Sequence, residues 1–296
     1  MTTDMTKEAE IVPWNELLLV DLPGYGTTKF PANDFFNTFE INKFDLYLCV
    51  FSGKFHQADT EFFRELKSNA KVCLFVRNKH DEIWEEGKTT DELEKDIVKD
   101  TEKQTSSKVE VYFTSCRSEE GIEKLSEAIF KNIDKAKQAK WIKSAKAYSS
   151  DFLNKKKSEC EKNVYIYSGA SATNAINPLP GVDIGIDIGI LVKLFASIRK
   201  TYGLTDEKLE GYRVSTLAPL VNKILKYATA TGIEILIKRF AAREIVKSTA
   251  KYIPFVGTAI AATIGFYIVK TLGMSYLEDC HKVARDILNE ELKNKK

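Results

Sequence analysis

Three short polar segments hold the residues whose types and spacing could do chemistry. Arg77-Asn78-Lys79-His80-Asp81 carries the pattern N-K-x-D. A carboxylate at the last position can accept hydrogen bonds from both the ring N1–H and the exocyclic amine of guanine, a pairing adenine cannot offer. Asn78 can tie neighbouring loops together and reach N7, and the aliphatic stem of Lys79 can lie along the base plane. Thr114-Ser115-Cys116-Arg117 sets a small residue before a long cation, so the backbone amide at Ser115–Cys116 can approach the guanine O6. Asp21-Leu22-Pro23-Gly24 is a D-x-x-G arrangement, in which the aspartate holds a water on Mg²⁺ and the bare glycine backbone approaches a γ-phosphate. Alone, that tetrapeptide reads equally well as a turn whose aspartate caps its own backbone. Order and placement separate the readings: each segment follows an apolar run, and Asp21 and Asn78 stand 57 positions apart.

The apolar runs are Glu16 to Asp21, Asp45 to Phe51, Lys71 to Val76 and Val109 to Ser115. They lack strict alternation, as strands covered on both faces do. Charged segments of helical period lie between them, roughly Asp34 to Ile41, Asp59 to Ser68 and Asp91 to Lys103, with Gly121 to Asn132 after the last. Strand-helix alternation predicts a doubly wound α/β domain with a parallel sheet over residues 1–133, and ligands at the carboxyl ends of its strands. From Asp134 strand signals vanish, which predicts a second, all-α domain over 134–296.

Composition bounds the rest. Of 296 residues, 44% are hydrophobic and 29% charged, as in globular domains, and a net charge of +2 gives no global attraction to nucleic acid. Five cysteines at scattered spacings suggest reduced thiols in a cytoplasmic protein. The three histidines are far apart and form no ligand cluster, and no zinc spacing or Ser-His-Asp arrangement appears.

At this point a resemblance can be named. DLPGYGTTKFPANDFF, FDLYLCVFSGKFHQADTEFFREL and VCLFVRNKHDE resemble the corresponding blocks of the immunity-related, interferon-inducible GTPases. NPLPGVDIGIDIGILVKLFASIRKTYGL and KYIPFVGTAIAATIGFYIVKTL are similar to that family's helical domain. The resemblance implies binding and hydrolysis of GTP with Mg²⁺, nucleotide-dependent self-assembly, association with intracellular membranes and a role in innate immunity. It assigns Asp21 and Gly24 to the catalytic end, with Asp21 reaching the metal only through a water, and Asn78, Lys79, Asp81, Ser115 and Cys116 to the base.

The pattern departs from the family in two places. No G-x-x-x-x-G-K-[ST] loop precedes Asp21, and the nearest lookalike, Gly24-Tyr25-Gly26-Thr27-Thr28-Lys29, has the wrong glycine spacing and follows the motif it should precede. The expectation is therefore a GTPase-type domain without its phosphate loop and first switch. Either it is a piece of a working GTPase, or it is a truncated relative that has lost turnover and serves as an interaction or membrane-binding scaffold. Tyr25 also stands where small GTPases place a water-positioning glutamine, so slow hydrolysis, or hydrolysis aided by a second subunit, is expected.

Three features of the second half bear on membranes. Lysines at 135, 137, 140, 143, 146 and 155–157 read as a solvated helix face or as a surface for anionic lipid. Gly181, Gly185 and Gly189 recur at four-residue spacing with Asp183 and Asp187 beside them, which predicts a closely packed soluble helix. Ile253 to Val269 is uncharged but only 17 residues long, and a buried hairpin helix is the preferred reading over bilayer insertion.

Overall fold

The computed structural model describes residues 8–26, 30–53, 57–174, 188–247 and 257–294. Gly181, Asp183, Gly185, Asp187, His56 and Ile253–Val256 lie outside these residues, as do Thr27–Lys29. The chain divides into two compact units, Met1–Ala145 and Lys146–Lys296.

In the first unit the elements run β1 (Glu10–Trp14), β2 (Leu17–Asp21), α1 (Ala32–Thr38), β3 (Tyr47–Phe51), α2 (Gln57–Ser68), β4 (Cys73–Arg77), α3 (Thr90–Thr105), β5 (Val111–Phe113), α4 (Ile122–Asn132) and α5 (Lys135–Ser144). The four apolar runs became β2, β3, β4 and β5. β3, β4 and β5 form a parallel sheet in that order, with Tyr47 opposite Cys73 and Phe75 opposite Val111. This is a mixed α/β unit with strand-helix-strand crossovers through α2 and α3. In the central strand Leu74, Phe75 and Val76 are all buried, the continuous apolar run expected of a parallel strand.

β2 departs from the expected single sheet. It pairs antiparallel with β1, Trp14 opposite Leu17, and this hairpin is a separate two-stranded sheet. Asn15 takes the left-handed turn conformation (φ 56°), which asparagine tolerates better than most residues. β1 was hidden in the sequence by Pro13, which weakens a strand reading yet is tolerated on an edge. The hairpin is moored to α5 by an edge-to-face contact of Trp14 with Trp141 (5.6 Å between centroids) and by a hydrogen bond from the Asn15 side chain to the Ser144 carbonyl (3.4 Å).

α3 shows why these boundaries fall where they do. Thr89 and Glu92 form a reciprocal capping box, the Thr89 N–H donating to Glu92 at 2.9 Å and the Glu92 N–H to the Thr89 hydroxyl at 3.3 Å. Ser106 ends the helix in the left-handed conformation.

The second unit contains only helices among its described residues: α6 (Ser150–Asn174), α7 (Ile188–Tyr202), α8 (Asp206–Glu210), α9 (Ala218–Lys226), α10 (Ala230–Lys247) and α11 (Gly257–Asn294). α6, α7 and α11 make its core, where Phe195 stacks on Tyr276 at 3.9 Å. Gly273 lets α11 close on its neighbours: a Cβ there would lie 2.9 Å from Leu194 and 3.0 Å from Val164. No helix among the described residues is long and apolar enough to cross a membrane. From Thr263 onward, the apolar stretch in α11 is half covered, with Ile268 and Val269 buried and Ile264 and Tyr267 exposed.

Several of the clustered lysines have carboxylate partners. Lys137 pairs with Asp45, Lys143 with Glu16, Lys155 with Asp151 (2.7 Å) and Lys157 with Glu278 (2.6 Å). Lys156 is different. It is buried, and its ammonium donates to the Thr201 carbonyl in the last turn of α7 at 2.6 Å, a favourable place for a cation. Burial pushes its pKa down to about 8. The folded chain therefore sheds this proton near pH 8 while the unfolded chain keeps it to about 10.5, so the group's contribution to stability rises with pH across that window. Lys156→Met removes this dependence. Denaturant unfolding of both proteins from pH 7 to 10.5 is expected to show wild type gaining about 2–4 kcal/mol relative to the variant.

Candidate guanine-nucleotide site

The candidate site begins with the parallel pairing of β4 and β5. Arg77, the last residue of β4, lies opposite Phe113, the last of β5, so the two following loops leave the sheet side by side. The ladder continues into them: the Thr114 N–H donates to the Arg77 carbonyl (2.9 Å) and the His80 N–H to the Thr114 carbonyl (3.0 Å). On the other side of β4 the Asn78 N–H donates to the Phe51 carbonyl at 2.9 Å. The start of the N-K-x-D segment is thus fixed by backbone bonds to both neighbouring strands.

Side chains then join the loops. The Asn78 amide oxygen accepts from the Thr114 hydroxyl (3.4 Å) and faces the Cys116 thiol (3.6 Å), which leaves the amide nitrogen as the outward donor. The Ser115 hydroxyl donates to Asp81, and this bond, aided by Arg117 and His80, holds the Asp81 carboxyl below its ordinary value. Asp81 is exposed and ionised, in the state needed to accept two hydrogen bonds. Lys79 takes the left-handed conformation (φ 59°), an uncommon state for a residue with a Cβ, and its ammonium lies 3.4 Å from Glu82. Arg77 is partly buried, and burial lowers its pKa; one guanidinium nitrogen donates to the Asn78 carbonyl at 2.7 Å.

The second loop is held by a tight return. The Ser115 N–H donates to the Glu120 carbonyl (3.0 Å) and the Ser118 N–H to the Ser115 hydroxyl (3.2 Å). Gly121 makes the return possible: its φ is +71°, and a Cβ would lie 1.8 Å from the Phe113 carbonyl oxygen.

Asn78, Lys79, Asp81, Ser115 and Cys116 are therefore brought together at the carboxyl ends of β4 and β5. Asp21 and Gly24 lie elsewhere, Asp21 as the last residue of β2 in the other sheet and Gly24 in the loop after it, both exposed. Beyond them the loop turns inward. Tyr25 packs against Phe35 (5.3 Å) and Phe62 (5.1 Å), and its hydroxyl donates to Glu65 on α2 at 3.3 Å. Desolvation and Glu65 raise the Tyr25 pKa. Tyr25 is an anchor for this loop rather than a side chain held out to orient water. Asp21 has no His, Cys, Asp or Glu cluster around it: among the described residues no group of three such side chains could hold a metal. The loops after β4 and β5 thus set an ionised carboxylate, an amide and a small-residue backbone side by side, while Asp21 and Gly24 stand at the end of β2 in the other sheet.

Residues 2–229 match the family described as interferon-inducible GTPase (IIGP), more than half of the chain. The chain belongs to the interferon-inducible GTPase family. Among curated proteins it is similar to Interferon-gamma-inducible GTPase 10 of Mus musculus, 20% identical over 204 residues, 64% of this chain and 49% of that protein. It is also similar to Interferon-inducible GTPase 5 of Bos taurus, 22% identical over 302 aligned positions, 93% of this chain and 65% of that protein, and at 20% identity to the Rattus norvegicus protein of that name. The chain spans about half to two thirds of the length of these interferon-inducible GTPases.

Sequence reasoning did not single out Thr114 as the side chain orienting Asn78, or His80 as a structural member of the site. Gly121→Ala tests how far the geometry depends on the return loop. The variant is expected to lose about 1–3 kcal/mol of stability, since it combines left-handed strain with a backbone clash. Backbone amide shifts in an NMR spectrum should concentrate at 113–121 and in the adjoining 78–81 loop.

Proposed function

We propose that this chain binds guanine nucleotides through the loops after β4 and β5, and that its Asp21–Gly24 segment serves the phosphate and Mg²⁺ end. The observation that carries this reading is the convergence of Asn78, Asp81, Ser115 and Cys116 on adjacent loops, oriented by hydrogen bonds among themselves. Asp81 accepts from the guanine N1–H and amine, the Asn78 amide nitrogen reaches N7, the Lys79 stem covers the base, and the backbone at Cys116 faces O6. Bound Mg²⁺ would neutralise phosphate charge, with Asp21 acting on it through a water. The phosphate contacts that a glycine-rich loop makes elsewhere are charge-assisted and strong, and the sequence contains no such loop, so base selectivity is the property expected of these residues themselves. Hydrolysis, nucleotide-dependent self-assembly and association with intracellular membranes complete the proposal for the protein, on the strength of its family.

The test is titration of the 296-residue chain with fluorescent GDP in Mg²⁺, beside fluorescent ADP and the Asp81→Ala variant. GDP is expected to bind more tightly than ADP, and the substitution to weaken GDP about tenfold or more while leaving ADP unchanged, because two hydrogen bonds to a charged acceptor are lost. Equal affinity for the two nucleotides would overturn the base-reading role.

A second reading, an interaction module that does not turn over nucleotide, is favoured by one feature. β3 is an edge of the three-stranded sheet, yet it exposes Leu48 and Val50, the latter 59% accessible, and β2 exposes Leu18 at 68%. Apolar unpaired edges are templates for strand addition. Sedimentation velocity is expected to show association that grows with protein concentration and is suppressed by Val50→Lys; a wild-type chain that stays monomeric throughout would dismiss this reading.

A further inference from the structure

The third position of N-K-x-D is open in the pattern, and here it is His80. A side chain in an exposed polar loop ordinarily gains little from being ordered. The His80 side chain is only 10% exposed and is gripped on both nitrogens. Nε2 lies 2.7 Å from Glu94 Oε1 on α3, and Nδ1 lies 3.3 Å from Glu120 Oε2 in the loop that returns from Ser115 to α4. The ring packs 5.6 Å from that of Phe113 at the end of β5, and the backbone N–H holds the Thr114 carbonyl. One residue thus ties the base-reading loop to α3, to β5 and to the second loop of the site.

The chemistry of this contact is specific. A carboxylate accepts only, and an imidazole donates from both nitrogens only when both carry protons, so a cation between Glu94 and Glu120 satisfies both contacts and offsets the repulsion of the two acids. Without it, two carboxylates from different elements would face one another across the loop. Glu120 is also the residue whose carbonyl holds the Ser115 N–H, so movement of Glu120 is movement of the second loop.

We propose that His80 is a positioning residue: clamped between Glu94 and Glu120, it holds the Asn78–Asp81 loop at the separation from Ser115–Cys116 that a guanine base requires. The consequence for nucleotide binding rests on the guanine reading above, whereas the clamp itself is a property of the chain without ligand.

The experiment is amide hydrogen exchange on the full 296-residue chain, comparing wild type with His80→Ala, His80→Lys and the Glu94→Ala/Glu120→Ala pair, followed by GDP titration of each. In His80→Ala, exchange at 78–82 and 114–118 should quicken about tenfold while β3 and α2 keep their wild-type rates, because the loops open locally rather than with the whole unit. His80→Lys, which returns a cation, should recover most of the protection. Adding His80→Ala to the Glu94/Glu120 pair should change little, since the three groups act as one. GDP affinity should fall about tenfold in His80→Ala and recover in His80→Lys. Unchanged exchange in His80→Ala, equal loss in His80→Lys, or faster exchange throughout the unit would each overturn the clamp. If wild type binds no guanine nucleotide, the guanine reading fails, and the exchange comparison still decides the clamp.

Discussion

The parallel pairing of β4 with β5 is the constraint on which the candidate site depends. In a parallel pair both chains leave the sheet at the same end, so two loops far apart in sequence emerge as neighbours. Here the pairing runs Phe75 with Val111, Val76 with Tyr112 and Arg77 with Phe113, and it is prolonged beyond the strands by bonds from Thr114 to Arg77 and from His80 to Thr114. Leu74, Phe75 and Val76 are buried on both faces of the strand, which holds β4 at the centre of the sheet. Everything later in the site is built from that alignment. Asn78 meets Thr114 and Cys116, Asp81 meets Ser115, and His80 meets Glu120 because the strands deliver them there.

Some of the unit's backbone strain falls in the same place. Lys79, Glu119 and Gly121 all have positive φ, and they bracket the two loops. Such conformations cost of order 1–3 kcal/mol each for residues with a Cβ and persist where surrounding contacts over-determine them. The hydrogen bonds between the loops and the clamp on His80 are those contacts. A loop held this way loses little further freedom on meeting a ligand, which is the physical meaning of a preorganised recognition surface.

Much of this was legible in the sequence, and the remainder was not for identifiable reasons. Apolar runs of strand length announced β2 to β5, and the motif residues fell at their ends; burial on both faces accounts for that continuous apolar signature in β4, whereas β2 and β3 leave part of theirs exposed. The same signature says nothing about which strand pairs with which, so the antiparallel partner of β2 went unseen, the more so because Pro13 interrupts β1. Trp14 and Trp141, which moor that hairpin to α5, are 127 positions apart, and no local pattern links them. His80 read as the free position of a motif. Its partners Glu94 and Glu120 lie 14 and 40 positions away, among acids that resemble any solvated helix face. Tyr25 showed that a glutamine was replaced, but the aromatic pocket that draws it inward is assembled from α1 and α2 and could not be inferred from the loop alone.

The segments proposed for the two ends of a nucleotide are built on different physical terms. The segments proposed for the base are organised by hydrogen bonds between neutral side chains, one exposed ionised aspartate and the sheet backbone, whose directions decide which donors a ligand must bring. Asp21 and Gly24, proposed for the phosphate end, are exposed, and their loop is anchored from behind by Tyr25 among Phe35, Phe36 and Phe62. That anchor fixes where the loop leaves β2. The loops after β4 and β5 are therefore ordered by contacts this unit makes within itself. On the proposed reading, selectivity among bases belongs to these loops and affinity for phosphate to the Asp21–Gly24 end, where charge-assisted contacts would dominate.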